Sequence, residues 1–158
     1  MWDRFDEALR VAAEVDPDAR LVRILGIGLR RDGRVQLGAA EDYASRWEYA
    51  FRNDFDGHRP SQCLTVLYWQ DGEQLVDPRA GNVGRGLEIF DEELIPDLLD
   101  SIPLAERFQH SPGHEPLAGS SDDHIVYFMR RPLDPVAALH NFAGQHLLLD
   151  PLSGEAVG

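Results

Sequence analysis

Hydrophobic residues near the start of the chain recur at the spacing of a helix. The apolar stripe consists of Phe5, Ala8, Leu9 and Ala12, and charged residues occupy most of the remaining positions. Spacing by three and four residues is typical of a helix with one buried face. Asp3 is predicted to cap this helix by accepting a hydrogen bond from a free backbone N–H group. The proline of the DPDA segment, residues 16–19, is predicted to end it, because the residue before a proline disfavours helical geometry.

After this helix the pattern changes to short runs of aliphatic and aromatic residues, which predict strands. In the first run, RLVRILGIGL, Gly26 and Gly28 indicate a bend or a close backbone approach. Asp32-Gly33 predicts a type I′ hairpin turn, because both central residues of that turn need a positive φ. Asp71-Gly72 predicts a further turn, so an antiparallel meander is expected. The later runs are SRWEYAFRND (45–54), QCLTVLYW (62–69) and EQLV (73–76).

The second half of the chain follows the same order of elements. DPRAGNVGRG (77–86) predicts a loop, and a second helix is predicted within DEELIPDLLDSI (91–102), with Pro96 in its first turn. Residues 109–124 are rich in glycine, proline and serine, and they are predicted to form a mobile surface loop. The helix stripe is Ile95, Leu98, Leu99 and Ile102, and the predicted strands are IVYFMRR (125–131), HLLLD (146–150) and a short final EAV (155–157).

Helices that lie apart from runs of neighbouring strands indicate an α+β fold, in which two helices cover an antiparallel sheet. The 158 residues are expected to form a single compact domain, 1–158. Residues 1–77 and 88–158 are similar to each other, because FDEALRVAAEV corresponds to FDEELIPDLLDSI and both halves end in a Gly-Glu turn. We therefore predict a helix-strand-strand repeat.

Three aromatic residues alternate along one predicted strand. Trp47, Tyr49 and Phe51 would project to the same side, because side chains alternate across a pleated sheet. A packed core is the interpretation that we favour, since each ring would bury a large apolar area. Arg46, Glu48 and Arg52 would then face water. The alternative is an aromatic binding surface, for which Trp and Tyr also have suitable polar groups.

Composition limits the classes of partner. The 28 acidic and 15 basic residues give a net charge of −13, which disfavours nonspecific binding to nucleic acid and to anionic membranes. A basic protein partner would be favoured instead. The arginines are scattered along the sequence, so they do not indicate a phosphate site. The chain has neither a signal-peptide pattern nor an apolar run long enough to cross a membrane, so a soluble cytoplasmic protein is expected.

The pattern of segments resembles that of PepSY-like domains. The corresponding segments are the helix from Ala8 to Val15, the strand from Ala19 to Leu29, the Asp32-Gly33 turn, the aromatic strand from Trp47 to Phe51, and LTVLYWQDGEQLV. The C-terminal HLLLDPLSGEAV is similar to the closing strand and turn of the family, so the resemblance extends loosely over most of the chain as two copies. It implies a non-catalytic binding or inhibitory module, and it implies no catalytic residues.

Histidines and acidic residues concentrate in the last third of the chain. These side chains are the ligands that zinc accepts, but no H-E-x-x-H or H-x-H motif is present and Pro112-Gly113 separates the first two histidines. Solvated loop histidines are therefore expected. The candidate metal ligands are His110, His114, His124, His140, His146, Glu115, Asp122 and Asp123.

Other reactive residue types also have structural interpretations. Cys63 lies in the largely apolar run QCLTVLYW and is predicted to be a small buried hydrophobe rather than a nucleophile. GNVGRG (81–86) does not match the phosphate-binding loop patterns. Ser153 is expected in a turn, and Asp91, Glu92 and Glu93 are expected in the first turn of a helix, where the dipole favours acids. We therefore assign no catalytic, cofactor-binding or metal-binding residue.

The leading hypothesis is a non-enzymatic protein-binding module, with an inhibitor or immunity-type protein as a specific form. It would bind through a sheet face, a sheet edge or the two long loops, 77–90 and 109–123. One rival is a small metal-dependent enzyme that uses His110, His114, His124 and nearby acids. The other rival is a small-ligand binder with a pocket lined by Trp47, Tyr49 and Trp69. The oligomeric state does not follow from the sequence.

Overall fold

A computed structural model describes residues 1–35, 37, 45–53, 63–70, 73–77, 87–130 and 134–157 of the chain. It contains two α-helices, a short 3-10 helix at Ile95–Asp97, and seven strands. The helices are α1 (Trp2–Val15) and α2 (Ser101–Gln109). The strands are β1 (Arg20–Ile27), β2 (Arg46–Arg52), β3 (Cys63–Gln70), β4 (Glu73–Asp77), β5 (His124–Arg130), β6 (Asp134–His140) and β7 (His146–Leu149).

All seven strands belong to one antiparallel sheet with the order β4-β3-β2-β1-β5-β6-β7. Strands β1 to β4 therefore come from the first half of the chain and β5 to β7 from the second. Within the described strands, the two groups are joined where β1 pairs with β5, from Arg23↔Phe128 to Ile27↔His124. The predicted α+β class is confirmed. That the halves are repeats of each other stays a prediction.

The helices lie on the face of the sheet that carries Ile24, Tyr49 and Tyr127, which are direct cross-strand neighbours. The Phe5 ring of α1 lies 6.0 Å from the Tyr49 ring. The Tyr127 hydroxyl donates a hydrogen bond to the backbone oxygen of Leu99, just before α2. This helix-covered face holds the core, and the opposite face carries Arg23, Leu25 and Ile27 of β1.

Helix α1 differs from the prediction at its start and along its stripe. Its N-cap is Met1, and Asp3 lies in the first turn instead of capping the helix. Val11, which was not part of the predicted stripe, is buried. Leu9, which was predicted to be buried, has a side chain that is 43% exposed. The helix faces the sheet with Phe5, Ala8, Val11 and Ala12, so Leu9 lies on its flank. The predicted end is confirmed, because Asp16 is extended.

Gly26 and Gly33 both lie where the backbone needs a glycine, but the turn at Gly33 differs from the predicted type. A Cβ atom on Gly26 would lie 2.6 Å from the Trp47 ring, so the predicted close approach is confirmed. Gly33 has φ +80°, and its N–H donates to the Arg30 oxygen, while Arg30 N–H donates to the Arg34 oxygen. This pairing encloses three residues, so the Asp32-Gly33 turn belongs to the three-residue class with glycine in the left-handed region, not to the predicted two-residue type.

The second helix was predicted in the wrong place. Residues 91–100 form turns and the 3-10 helix, and α2 begins at Ser101. Leu98 is extended, and the Asp100 carboxylate accepts a hydrogen bond from Ser101 N–H at 2.6 Å, which is the geometry of an N-cap. The acids Asp91 to Glu93 therefore do not occupy the first turn of a helix.

Strand β6 was not predicted, since its sequence DPVAALH lacks the aromatic and β-branched enrichment of the other strands. The predicted strands at 125–131 and 146–150 are confirmed as β5 and β7. The final EAV forms a single bridge, Leu149↔Ala156, instead of a strand. The turn at Asp71-Gly72 and the loop segment 78–86 lie outside the described residues.

Candidate functional site

The alternating aromatic residues of β2 belong to the core. Trp47, Tyr49 and Phe51 are all buried, and the Tyr49 hydroxyl donates a 2.6 Å hydrogen bond to the Met1 backbone oxygen. Burial raises the pKa of Tyr49 well above its ordinary value, so this hydroxyl remains a hydrogen-bond donor at physiological pH. The core interpretation is thus confirmed, and the aromatic face of β2 offers no open binding surface.

The residues between these aromatics do not all face water as predicted. Glu48 is buried on the opposite face of the sheet, and its two carboxylate oxygens lie 3.1 Å from Arg23 Nη2 and 2.7 Å from Arg46 Nε. Two guanidinium groups therefore compensate the burial of one carboxylate. The Arg23 Nε atom is buried and has no hydrogen-bond partner among the described residues.

The three residues proposed for a ligand pocket do not converge. Trp47 and Tyr49 lie on the helix-covered face, whereas Trp69 follows Tyr68, the cross-strand partner of Trp47, and so projects to the opposite face. Trp47 instead lines a cavity of about 560 Å³ near the start of both helices. Asp3, Arg4, Arg34, Asp100 and Ser101 also line this cavity.

His110 and His114, the first two histidines of the metal hypothesis, occupy separate environments. His110 follows α2, and its Nδ1 atom lies 2.8 Å from the Glu106 oxygen. The His114 ring packs edge-on against Phe108 at 5.2 Å. Within the described residues, no three His, Cys, Asp or Glu side chains are placed to hold a metal ion. The structure therefore does not bring His110, His114 and His124 together as a site.

Asp123, another member of that predicted cluster, has a structural role. Its carboxylate is fully buried, and one oxygen accepts N–H groups from Ala118, Gly119 and Ser120 at 2.5–3.0 Å. The other oxygen accepts the Phe142 N–H at 2.9 Å. Residues 110–123 are irregular as predicted, but this carboxylate and the buried Leu117 fix them to the body of the protein.

Sequence reasoning missed a row of three histidines across the second group of strands. His124, His140 and His146 are direct cross-strand neighbours on the opposite face. Their rings are stacked, with centroids 4.5 Å and 5.7 Å apart. The signal was present in the sequence, because His140 and His146 flank the five-residue turn NFAGQ, but it could be interpreted only once β6 was recognised as a strand.

An apolar groove, which we call the α1 groove, lies between α1 and the 3-10 helix and has a volume of about 310 Å³. Phe5, Leu9 and Ala13 form its α1 wall at intervals of four residues, and Ile95 and Pro96 form the facing wall. At its edge, Arg20 Nε pairs with a Glu92 carboxylate oxygen at 2.8 Å. Leu9 is thus exposed because it lines this groove.

Two segments that line the α1 groove carry much of the negative charge of the chain. Residues 1–19 and 91–100 contain 11 acidic and 2 arginine side chains, against 28 and 15 in the whole chain. Their net charge of −9 is most of the total of −13. The apolar groove therefore lies between two acidic segments, and Glu92, which is paired with Arg20, lines the groove itself. The exposed acids are Asp3, Asp6, Glu14, Asp18, Asp91, Glu92, Glu93 and Asp97.

Among the described residues, the remaining candidates add no further site. The Cys63 side chain and the GNVGRG segment lie outside the described residues. Ser153 lies in a turn as predicted, where its hydroxyl donates to Asp150 Oδ2 at 2.9 Å. Within the described part of the chain, neither helix has the length and apolar character needed to cross a membrane.

Comparisons with protein-family models, with curated proteins and with solved structures give no match to this chain. The α1 groove and the histidine row are therefore interpreted from their own geometry.

Proposed function

We propose that the protein is a non-enzymatic binding module that recognises another protein through the α1 groove. The occupant would be a basic segment of the partner that inserts an apolar side chain between α1 and the 3-10 helix. The observation that carries this proposal is the coincidence of an apolar groove with the most acidic part of the chain. Such an arrangement combines an apolar anchor with electrostatic attraction.

The size of the groove favours a side chain over a whole small molecule. Its volume of about 310 Å³ is at the lower end of the usual range for small-molecule pockets, about 300–1,000 Å³. Leu9 is 43% exposed and Ala13 is exposed, so an inserted side chain would cover apolar surface that water now contacts.

The surrounding carboxylates would select the partner. Asp91, Glu93 and Asp97 are exposed and lie in a segment, residues 91–100, that contains no basic side chain. They would accelerate the approach of a positively charged segment and repel an acidic one. A PepSY-like module with a binding or inhibitory role in the cytoplasm fits this proposal, and an inhibitor or immunity-type protein remains a specific form of it.

The test combines capture of a partner with a matched pair of variants. Leu9→Arg places a bulky charge in the α1 groove, whereas Leu152→Arg changes a leucine of similar exposure, 38%, in the turn after β7. A protein captured on the parent chain should bind Leu9→Arg at least about tenfold more weakly, as expected when an anchoring contact is lost. It should bind Leu152→Arg like the parent, as measured by calorimetry.

Charge reversal provides an independent arm. Glu93→Arg combined with Asp97→Arg should also weaken the complex and reduce its salt dependence, because fewer opposite charges remain. The proposal fails if the partner binds Leu9→Arg and the parent equally well, or if the bound segment is acidic. Stoichiometric transition metal in the purified protein would instead favour the metal-dependent enzyme.

A further inference from the structure

The histidine row is built into the pairing of the last three strands. His140 of β6 stands directly opposite His124 of β5 and His146 of β7, so the backbone holds the three rings side by side. The planes of the first pair are inclined by only 11° and those of the second pair by 29°. Imidazole lone pairs lie in the ring plane, so stacked rings do not point them at a common metal ion.

Among the described residues, the contacts of this row include no carboxylate group. The next positions on the same face are Val126, Ala138 and Leu148, which are uncharged. Where the row meets β1, Ile27 of β1 lies between His124 and Arg46 of β2.

The acidic residues nearest to the row in sequence either bind other groups with their carboxylates or contact the row and its turn through backbone atoms. The Asp122 oxygen lies 3.0 Å from His124 Nδ1, and the Asp123 carboxylate is occupied by four N–H groups. From the 110–116 segment, Glu115 contacts Gln145 and Asn141 through its backbone, and His114 Nε2 lies 3.4 Å from the His146 oxygen. These contacts place no negative side chain against the rings.

The stacked geometry suits neutral rings and opposes charged ones. Imidazole gains its proton between about pH 8 and pH 5, and protonation of neighbouring members would place like charges about 5 Å apart. In agreement with this, the pKa of His140 is lowered by its burial and by the neighbouring His124 and His146 rings. A ring released into water would regain its ordinary pKa, about 6.5. An opened state therefore binds more protons below that pH and becomes more favourable as the pH falls.

We propose that the His124–His140–His146 row is an acid-operated switch that releases the edge strand β7 from the sheet. Strand β7 is the element that gives way because it has four residues and lies at the edge of the sheet. Beyond β6, the described residues hold β7 through the bridge Leu149↔Ala156 and a hydrogen bond that Val157 N–H donates to the Leu148 oxygen.

Release of β7 would be transmitted to the helical layer. The Leu99 N–H donates to the Pro151 oxygen at 2.7 Å, and Gly154 lies against Leu99 and Leu104. The segment after β7 therefore supports the start of α2. The switch is independent of the α1 groove, so either proposal can fail without the other.

The background charge of the chain acts in the opposite direction. Acidification from neutral pH reduces the net charge of −13 and the self-repulsion of the folded protein. A general loss of structure is therefore not expected in this range. Loosening that is confined to the strand beside the histidine row would identify the row as its cause.

Hydrogen–deuterium exchange of the full chain tests the switch. Between about pH 7.5 and pH 5, after correction for the intrinsic exchange rate, the protection of the β7 amides should fall at least about tenfold. The amides of the central strand β2 should keep their protection. His140→Gln and His146→Gln should each remove most of the fall in β7, and His110→Gln, an exposed histidine outside the row, should leave it unchanged.

His146→Gln is the milder of the two row variants because His146 is exposed at the sheet edge. It gives a decisive result even if His140→Gln weakens the whole fold. Protection of β7 that does not change with pH in the parent would overturn the proposal. A fall that persists undiminished in His146→Gln, or that His110→Gln removes, would overturn it as well.

Discussion

The sequence predicts the burial of a side chain well where that burial depends only on the alternation within its own strand. Trp47, Tyr49 and Phe51 are buried as expected, because alternation across a strand assigns all three to one face. Glu48 was wrongly predicted to face water. Its burial depends on Arg23, which the pairing of β1 with β2 brings to its carboxylate. A contact between strands that are distant in sequence leaves no local signal.

Asp123 provides a test at the scale of a single residue. Asp123→Ala would leave four N–H donors without their acceptor, so we expect the free energy of unfolding to fall by about 3 kcal/mol. Urea denaturation followed by circular dichroism would measure it. The adjacent Asp122 is exposed, and Asp122→Ala should leave stability unchanged. Equal effects of the two substitutions would refute the structural role of Asp123.

Elements were predicted where periodicity and boundary signals agreed. Helix α1 and strands β1, β2, β3, β4, β5 and β7 satisfy this condition. The stripe within 91–102 was misassigned, because Leu98 and Leu99 have the spacing of a helix but pack as part of an extended segment before α2. Strand β6 was missed because Ala137 and Ala138 give no strand signal by themselves. Tertiary packing, not local propensity, determines both segments.

The start of α2 provides a test at the scale of the element. Asp100 caps the helix through Ser101 N–H and also lies 3.3 Å from the Met1 amino group. Asp100→Ala should therefore lower the free energy of unfolding by about 1 to 2 kcal/mol, in the range of a lost N-cap. Asp97→Ala in the 3-10 helix is the matched control and should be nearly neutral, as measured by thermal unfolding. A larger loss of stability from Asp97→Ala than from Asp100→Ala would contradict the assignment of Asp100 as the N-cap of α2.

At the scale of the whole molecule, the sequence predicts an acidic α+β protein but not where its charge collects. The segments 1–19 and 91–100 are far apart in sequence, and only the fold places them on both sides of the α1 groove. The candidate site therefore could not be predicted, although its ingredients, an apolar stripe and excess acid, were visible. The histidine row was hidden for the same reason, since it needs the register of three strands.

Concentrated negative charge predicts that salt stabilises the folded protein. Raising the ionic strength from about 0.02 M to about 0.5 M shortens the screening length severalfold and weakens repulsion among the exposed acids. We expect the melting temperature to rise by about 3 °C, the shift that corresponds to roughly 1 kcal/mol for a chain of this size. The Glu93→Arg and Asp97→Arg double variant should respond less. A melting temperature that falls with salt would contradict this view.

The seam between β1 and β5 has a consequence for the order of assembly. Its paired residues are separated by about a hundred positions in the chain, whereas most other neighbours in the sheet are joined by short connections. Local hairpins close quickly, and distant pairings pay a larger entropic penalty before they gain contacts. The two meanders can therefore form early as separate ribbons, with docking of β1 on β5 as the slow and committing event of folding.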